Sequence, residues 1–203
     1  MNKSKVRGCI LVIIGILLVC CALGVHISQK QQDTIAGKNA AVLLQQLELN
    51  KIPIKGDVQA PAPEAESVPV PTKMPEKTYL GYAMIGSLRI PSVQIQLPVM
   101  SSWDQTLLNL APCRYQGSIP DGNMIIMGHN YKSHFTPLHN ITLGAEVEFE
   151  NVEGVIYRYR VAQIVTLHRS EGEKLPSDYP LTLFTCTPGG LNRLVVRCEQ
   201  IEG

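Results

Sequence analysis

The most constraining feature of the sequence is an uncharged apolar run from Cys9 to Val25, CILVIIGILLVCCALGV, close to the amino terminus. Three basic residues precede it, namely Lys3, Lys5 and Arg7. Because a helix rises about 1.5 Å per residue, the run and the two residues after it nearly span the roughly 30 Å hydrocarbon core of a bilayer. The pattern predicts a transmembrane anchor over residues 9–27.

A cleaved signal peptide is the competing interpretation of the same run, because both have a basic start and an apolar middle. The run is long for a signal peptide, and no small-residue cleavage site follows it. We therefore favour an anchor. The positive-inside rule then places residues 1–8 in the cytoplasm and everything after Val25 outside the membrane. This predicts a single-pass membrane protein with an extracellular domain.

Residues 28–77 have the composition of a juxtamembrane spacer. Residues 28–51 have an imperfect apolar stripe that Gly37 interrupts, which predicts a modest juxtamembrane helix or a partly ordered stalk. Between Gly56 and Lys77 the sequence is rich in proline, with Pro61, Pro63, Pro69, Pro71 and Pro75. Dense prolines remove backbone donors and favour extended polyproline II, so this stretch predicts a semi-rigid linker.

The remaining residues, 78–203, are predicted to form one folded domain. They carry nine basic and eleven acidic side chains, whereas the whole chain of 203 residues has a net charge of +1. Proteins that bind nucleic acid electrostatically need a basic excess to displace the counterions of the phosphate backbone. The charge therefore excludes a nucleic-acid partner of that kind.

Short alternating or β-branched segments dominate this domain, and glycine, proline, asparagine or aspartate bounds each of them. The predicted strands are Met84–Ile90, Val93–Val99, Asn123–Met127, Glu146–Phe149, Val155–Leu167, Leu181–Phe184 and Leu194–Cys198. A helix is predicted over Trp103–Leu110, capped by Ser102 or Asp104, and a short turn over Pro137–Ile141. The pattern is typical of an all-β antiparallel sandwich or barrel.

Two of these strands end in residues whose side chains can take part in catalysis. The strand in LTLFTC ends at Cys186, and the strand in MIIMGH ends at His129. Arg193 follows Cys186 after a short Pro-Gly-Gly turn. A thiol, an imidazole and a guanidinium are a plausible nucleophile, acid/base and oxyanion-stabilising set, with a buried cysteine, a turn histidine and a surface arginine as the alternative. The cysteines and histidines lack metal-site spacing, so we predict no metal and no cofactor.

The same residues carry a family resemblance. The stretch TLFTCTPGGLNRLVVR resembles the T-L-x-T-C signature of sortases, the membrane-anchored cysteine transpeptidases of Gram-positive bacteria. MIIMGHN is similar to the sortase strand that ends in the catalytic histidine, and GSLRIPSVQIQLPV to the opening pair of strands. The resemblance implies a closed sortase-like β-barrel over residues 78–203. The neighbourhood of the histidine resembles sortases of class B or class D.

Carried over residue by residue, the resemblance implies that Cys186 is the nucleophile and His129 the general acid/base. Arg193 would position the substrate and stabilise the oxyanion. Arg197 is the alternative, because alternate residues of a strand share one face. We favour Arg193, since it lies nearer the loop that follows Cys186.

The activity that the resemblance implies is acyl transfer through a thioester. The enzyme would cleave an LPxTG-like sorting signal at the carboxyl end of a secreted protein. It would then join the acyl group to an amine of a lipid-linked peptidoglycan precursor or of a pilin lysine. Two alternatives stay open, namely a thiol hydrolase or protease on the same fold and a non-catalytic β module tethered to the membrane.

Overall fold

The structure is a computed structural model that describes residues 3–50 and 73–201. The chain divides into two compact units, Met1–Ile35 and Ala36–Gly203. The predicted Pro-rich linker lies almost entirely outside the described residues, so its conformation stays a prediction.

The first element is a single long helix, α1 (Lys3–Leu49). An 18-residue window of this helix has a mean hydropathy of 2.2, and none of its residues is buried. The amino-terminal part of the chain therefore forms a helix that is long and apolar enough to cross a bilayer, as the apolar run predicts. Gly37, which interrupts the apolar pattern of the sequence, does not break the helix, since α1 continues through this residue. A glycine costs a helix only about 1 kcal/mol relative to alanine, which the surrounding residues offset.

Within the second unit, one face of α1 packs against the strands. Its buried residues are Ala36, Ala40, Leu43 and Leu47, with exposed fractions of 3% or less. Steps of four, three and four residues return to the same side of a helix, so these side chains form one apolar stripe. The sequence-based division places residues 28–77 before the catalytic domain, whereas the compact unit begins at Ala36.

The described residues beyond α1 contain nine strands, one short α-helix and three 3-10 helices, which are Pro91–Val93, Thr136–Asn140 and Gly172–Lys174. The strands are β1 (Lys77–Tyr79), β2 (Tyr82–Ile90), β3 (Ile95–Met100), β4 (Cys113–Gln116), β5 (Met124–Met127), β6 (Glu146–Asn151), β7 (Ile156–His168), β8 (Leu181–Cys186) and β9 (Asn192–Gln200). The helix is α2 (Gln105–Leu108), and Asp104 caps it by accepting a hydrogen bond from the Leu107 backbone N–H. The predicted helix and its Asp104 cap are confirmed, with a shorter helix than the predicted range.

Eight of these strands close into a barrel, so the predicted all-β barrel is confirmed. The strand order is β1-β2-β3-β4-β5-β8-β9-β7-β6, and a further pairing of β2 with β6 closes the sheet. The short strand β1 pairs with β2 alone. The antiparallel pattern predicted from the sequence is incomplete, because β3–β4 and β5–β8 pair in parallel. Alternation within a strand does not report the direction of its neighbour.

Side chains of alternate residues fill the barrel and cover its outer face. The interior includes Leu88, Ile126, Leu183 and Val196. A second cluster joins Leu43 and Leu47 of α1 to Leu108 of α2 and to the strands. Each fully buried leucine contributes about 1.5–3 kcal/mol to stability. This second cluster therefore fixes α2 on the barrel.

Candidate active site

Two parallel neighbouring strands bring His129 and Cys186 to the same edge of the barrel. Strands β5 and β8 pair in register up to Met127 and Phe184, and each candidate residue follows two positions later. The Gly128 N–H donates to the Phe184 carbonyl at 3.1 Å, which extends the pairing toward His129. Adjacent strands lie about 4.8 Å apart, so the two residues are close neighbours in space although 57 positions separate them in sequence.

A glycine is required at position 128, directly before His129. A Cβ atom at this position would lie 2.5 Å from Cδ2 of the Phe135 ring, which is closer than carbon atoms approach one another. Phe135 is fully buried and donates its backbone N–H to the His129 carbonyl at 3.0 Å. The Gly-His dipeptide thus lets a buried aromatic ring fix the backbone that carries the imidazole.

The third candidate, Arg193, lies on the strand on the other side of Cys186. In the antiparallel pair β8–β9, Cys186 and Arg193 are directly opposed. Opposed residues project to the same face of a sheet, here the outer face of the barrel. Gly189 and Gly190 have φ values of 84° and 72° in the turn between the strands, a left-handed conformation that favours glycine. The structure therefore brings Cys186, His129 and Arg193 together.

Arg193 is held in place by two contacts. Its Nη1 donates to the Arg169 carbonyl at 2.8 Å, and its Cζ lies 5.9 Å from the centre of the Phe184 ring. A guanidinium over an aromatic face at this distance gains cation–π attraction. The side chain is half-buried, with its cation beside the strand that ends in Cys186.

The alternative cation, Arg197, lies at the opposite end of the strand pair. It is opposed to Thr182 of β8, and four residues of a strand span about 13 Å. Its Nη1 donates to Gln163 Oε1 at 2.8 Å and its Nη2 to the Lys174 carbonyl at 2.6 Å. Arg197 therefore anchors the segment between β7 and β8 and is remote from the sulfur.

His129 is half-buried and surrounded by polar groups that the sequence did not single out. Its Nε2 lies 3.1 Å from Asn109 Oδ1 and 3.3 Å from Gln105 Nε2. The Tyr131 ring centre lies 4.7 Å from the imidazole centre, and its hydroxyl donates to Asn109 Oδ1 at 3.4 Å. Gln105 and Asn109 are four positions apart at the predicted helix, a spacing that places two side chains on one face. That spacing was the one feature of the sequence that could have indicated that Gln105 and Asn109 act together.

Burial lowers the pKa of His129 below its ordinary value of 6.5. Desolvation disfavours the imidazolium, so the ring stays neutral to a lower pH than a free imidazole does. A neutral ring accepts a proton from a thiol, and the resulting imidazolium is then a stronger acid than usual toward a departing amine.

The three cysteines of the barrel differ sharply in environment. Cys186 is exposed, whereas Cys113 and Cys198 are fully buried. Burial raises the pKa of each buried thiol to about 12. Near pH 8, such a thiol holds only about one thiolate in 10⁴ molecules.

We therefore expect a thiol reagent to label Cys186 at least about a hundredfold faster than Cys113 or Cys198. Peptide mapping by mass spectrometry over a time course of the folded full-length protein measures the three rates. Labelling in denaturant is the control, because all three thiols then react. Similar rates in the folded protein would contradict the proposed geometry.

A thiol, an imidazole and a guanidinium at one exposed edge are the parts of a nucleophilic acyl-transfer site. No group of three potential metal ligands lies close together among the described residues. The arrangement suits a reaction in which a sulfur attacks a carbonyl and a cation stabilises the resulting oxyanion.

Comparisons with known proteins give matches to the domain that carries these residues. The family model of the sortase domain matches residues 88–201. Comparison with the curated proteins gives no match. Similar solved structures include sortase C1 of GBS pilus island 1, with 25% identity and a TM-score of 0.53 over 59% of this chain and 65% of that chain. They also include sortase C1 from Streptococcus suis, with 26% identity and a TM-score of 0.53 over 59% of this chain and 74% of that chain.

A third similar structure, sortase A from Corynebacterium diphtheriae, has 22% identity and a TM-score of 0.54 over 60% of this chain and 62% of that chain. The chain therefore spans less than two thirds of the length of the first and third of these structures. The likeness to class B or class D near the histidine stays a prediction.

Proposed function

Because this chain belongs to the sortase family, we propose that it is a membrane-anchored cysteine transpeptidase with Cys186, His129 and Arg193 as its catalytic residues. One observation carries the proposal. The ends of three adjacent strands, β5, β8 and β9, bear an imidazole, an exposed thiol and a guanidinium respectively.

The first half-reaction forms a thioester. The Cys186 thiolate attacks the threonine carbonyl of an LPxTG-like sorting signal, and the carbonyl oxygen becomes an oxyanion. Arg193, on the same face as the sulfur, stabilises that charge. His129 protonates the departing glycine amine, the carbon–nitrogen bond breaks, and the acyl group remains on Cys186.

The second half-reaction transfers the acyl group to an amine. The incoming amine attacks the thioester carbonyl, His129 removes its proton, and the Cys186 thiolate leaves. A lipid-linked peptidoglycan precursor or a pilin lysine supplies a suitable amine. One of the similar structures comes from a pilus island, which supports the pilin acceptor as a candidate.

The amino-terminal helix suits this reaction. With its basic residues in the cytoplasm, it anchors the enzyme by a single span and leaves the barrel outside the cell. A secreted protein still held at the membrane and a lipid-linked amine both lie close to that surface. The anchor therefore concentrates enzyme, substrate and acceptor in two dimensions.

The test of this proposal is the product of a sorting peptide. Full-length protein with an LPxTG peptide and an amine such as triglycine is expected to yield the new amide, which mass spectrometry identifies. A peptide with a scrambled motif is the control. Acid as the only product, at any amine concentration, would favour the thiol hydrolase alternative. Lack of cleavage across a library of sorting motifs would favour the non-catalytic module.

A further inference from the structure

The ring nitrogen Nε2 of His129 is engaged by side chains of α2 and the residue after it. Asn109 Oδ1 lies 3.1 Å from Nε2, within hydrogen-bond distance. An amide oxygen only accepts, so this hydrogen bond requires a hydrogen on Nε2. The Gln105 amide nitrogen lies farther away, 3.3 Å from the same Nε2, and only donates, so its hydrogen bond would require an Nε2 without a hydrogen. One neutral ring satisfies only one of the two contacts, and the shorter one, to Asn109, favours the hydrogen on Nε2. When Nε2 carries the hydrogen of the neutral ring, Nδ1 is the basic nitrogen.

The opposite side of α2 packs against α1. Leu108 belongs to the same buried cluster as Leu43 and Leu47 of α1, and Leu107 packs against that cluster. The helix α2 has only four residues, so it depends on this packing for its position. Asn109 follows directly after α2, and its backbone N–H donates to the Thr106 backbone carbonyl at 3.2 Å.

The same part of α1 also touches the loop that follows His129. A Cβ atom at Gly37 would lie 2.9 Å from Cβ of Ser133, so the helix and the loop are in close contact there. Ala36 and Ala40, one position before and three after Gly37, are buried. Residues 36–49 of α1 therefore contact both elements that flank the imidazole.

We propose that Asn109 is a positioning residue that accepts a hydrogen bond from Nε2–H of His129, leaves Nδ1 to exchange the catalytic proton, and is held in place by residues 36–49 of α1 through α2. The inference rests on the proposed acid/base role of His129. It extends that role by naming the active nitrogen and by linking the end of the anchor helix to the site.

Several titratable or charged groups lie on the elements around the imidazole ring. They are Asp104 before α2, Tyr131, Lys132 and His134 in the loop after β5, Cys186 on β8 and Arg193 on β9. Asn109 itself is uncharged, so its replacement by alanine removes a hydrogen bond without changing the net charge. Replacement by aspartate adds a negative charge at the same place.

Asn109→Ala is expected to lower kcat about 10- to 100-fold with KM within about twofold, because a misoriented acid/base slows chemistry and not binding. Asn109→Asp is expected to move the alkaline limb of the pH–rate profile upward by about one pH unit or more, because a carboxylate beside the ring stabilises the imidazolium. Thr106→Ala, an exposed change on α2, is the matched control. Asn109 is exposed, so neither substitution disturbs the core.

The role of α1 is tested by a pair of matched leucines. Leu47 is fully buried in the cluster that includes Leu108 of α2, whereas Leu49, two positions later on α1, is 52% exposed. We expect Leu47→Ala to lower kcat in the wild-type background and to have little further effect in Asn109→Ala, since both changes act through one contact. Leu49→Ala is expected to leave kcat unchanged in both the wild-type and the Asn109→Ala backgrounds. Fully multiplicative effects would overturn the coupling to α1.

A readout without activity separates this inference from the proposed function. The nitrogen chemical shifts of the His129 ring, measured on the full-length protein in micelles and assigned with a His129→Gln variant, report which nitrogen carries the hydrogen. We expect the Nε2–H form in the neutral ring and a mixture of both forms in Asn109→Ala. An Nδ1–H ring in the wild type, or an unchanged ring in the variant, would overturn the inference even in an active transpeptidase.

Discussion

Replacing Cys186 by alanine is expected to abolish peptide cleavage and amide formation together, lowering kcat by at least about 10⁴-fold. The sulfur makes the covalent bond in both half-reactions, and among the described residues no other exposed thiol lies on the barrel. The measurement has two parts. Chromatography quantifies both products, and intact mass spectrometry detects the thioester adduct that the wild type accumulates when no amine is present.

The control for Cys186→Ala is its thermal unfolding. Cys186 is exposed at the end of β8, so its loss is expected to leave the unfolding temperature within a few degrees of the wild type. Cys198→Ala is a second control, because this thiol is buried on β9 and should be dispensable for chemistry. Acyl-enzyme formation in Cys186→Ala, or its loss in a folded Cys198→Ala, would refute the assigned nucleophile.

Arg193→Ala is expected to lower kcat about 10²- to 10³-fold, while Arg197→Ala keeps kcat within about tenfold of the wild type. The reason is the register of β8 and β9. Cys186 is opposed to Arg193, and Thr182 is opposed to Arg197. A cation that stabilises an oxyanion must lie beside the attacked carbonyl, and of these two arginines Arg193 is the one opposed to Cys186. Steady-state kinetics with one sorting peptide measures both variants.

Arg197→Ala is expected to act on a different parameter. Arg197 donates to Gln163 on β7 and to the Lys174 carbonyl, so its loss loosens the segment before β8. We expect a raised KM or a lower unfolding temperature. Arg193→Lys, which keeps the charge but loses the planar fork, should recover only part of the activity. An inactive Arg197→Ala beside an active Arg193→Ala would reverse the assignment.

Local pattern predicted most of the strands because alternation and β-branching report directly on a half-buried extended chain. The strands β1 and β4 were not predicted. Each has four residues or fewer, so the alternation in β4, CRYQ, covers too few residues to mark a strand by itself. Such segments become strands only because a neighbouring strand pairs with them.

The polar groups around His129 could not be predicted from local sequence pattern, because they also depend on contacts between distant residues. Asn109 and Gln105 lie 20 and 24 positions before it, and an exposed amide has no signature of its own. Packing of α2 against α1 decides that these two side chains meet the imidazole. The buried stripe on α1 also explains why the compact unit begins at Ala36, far before the boundary drawn at residue 78.

The sequence by itself determined the parts of this protein: an apolar helix, a set of short strands, and a thiol, an imidazole and two guanidinium groups at the ends or on the faces of those strands. Composition, periodicity and short motifs encode such features over neighbouring residues. Only the tertiary structure decided that β5 and β8 run in parallel, that Cys186 is opposed to Arg193 and not to Arg197, and that Asn109 meets His129. Strand direction, register and helix packing depend on contacts between distant residues, and those contacts form only when the barrel closes.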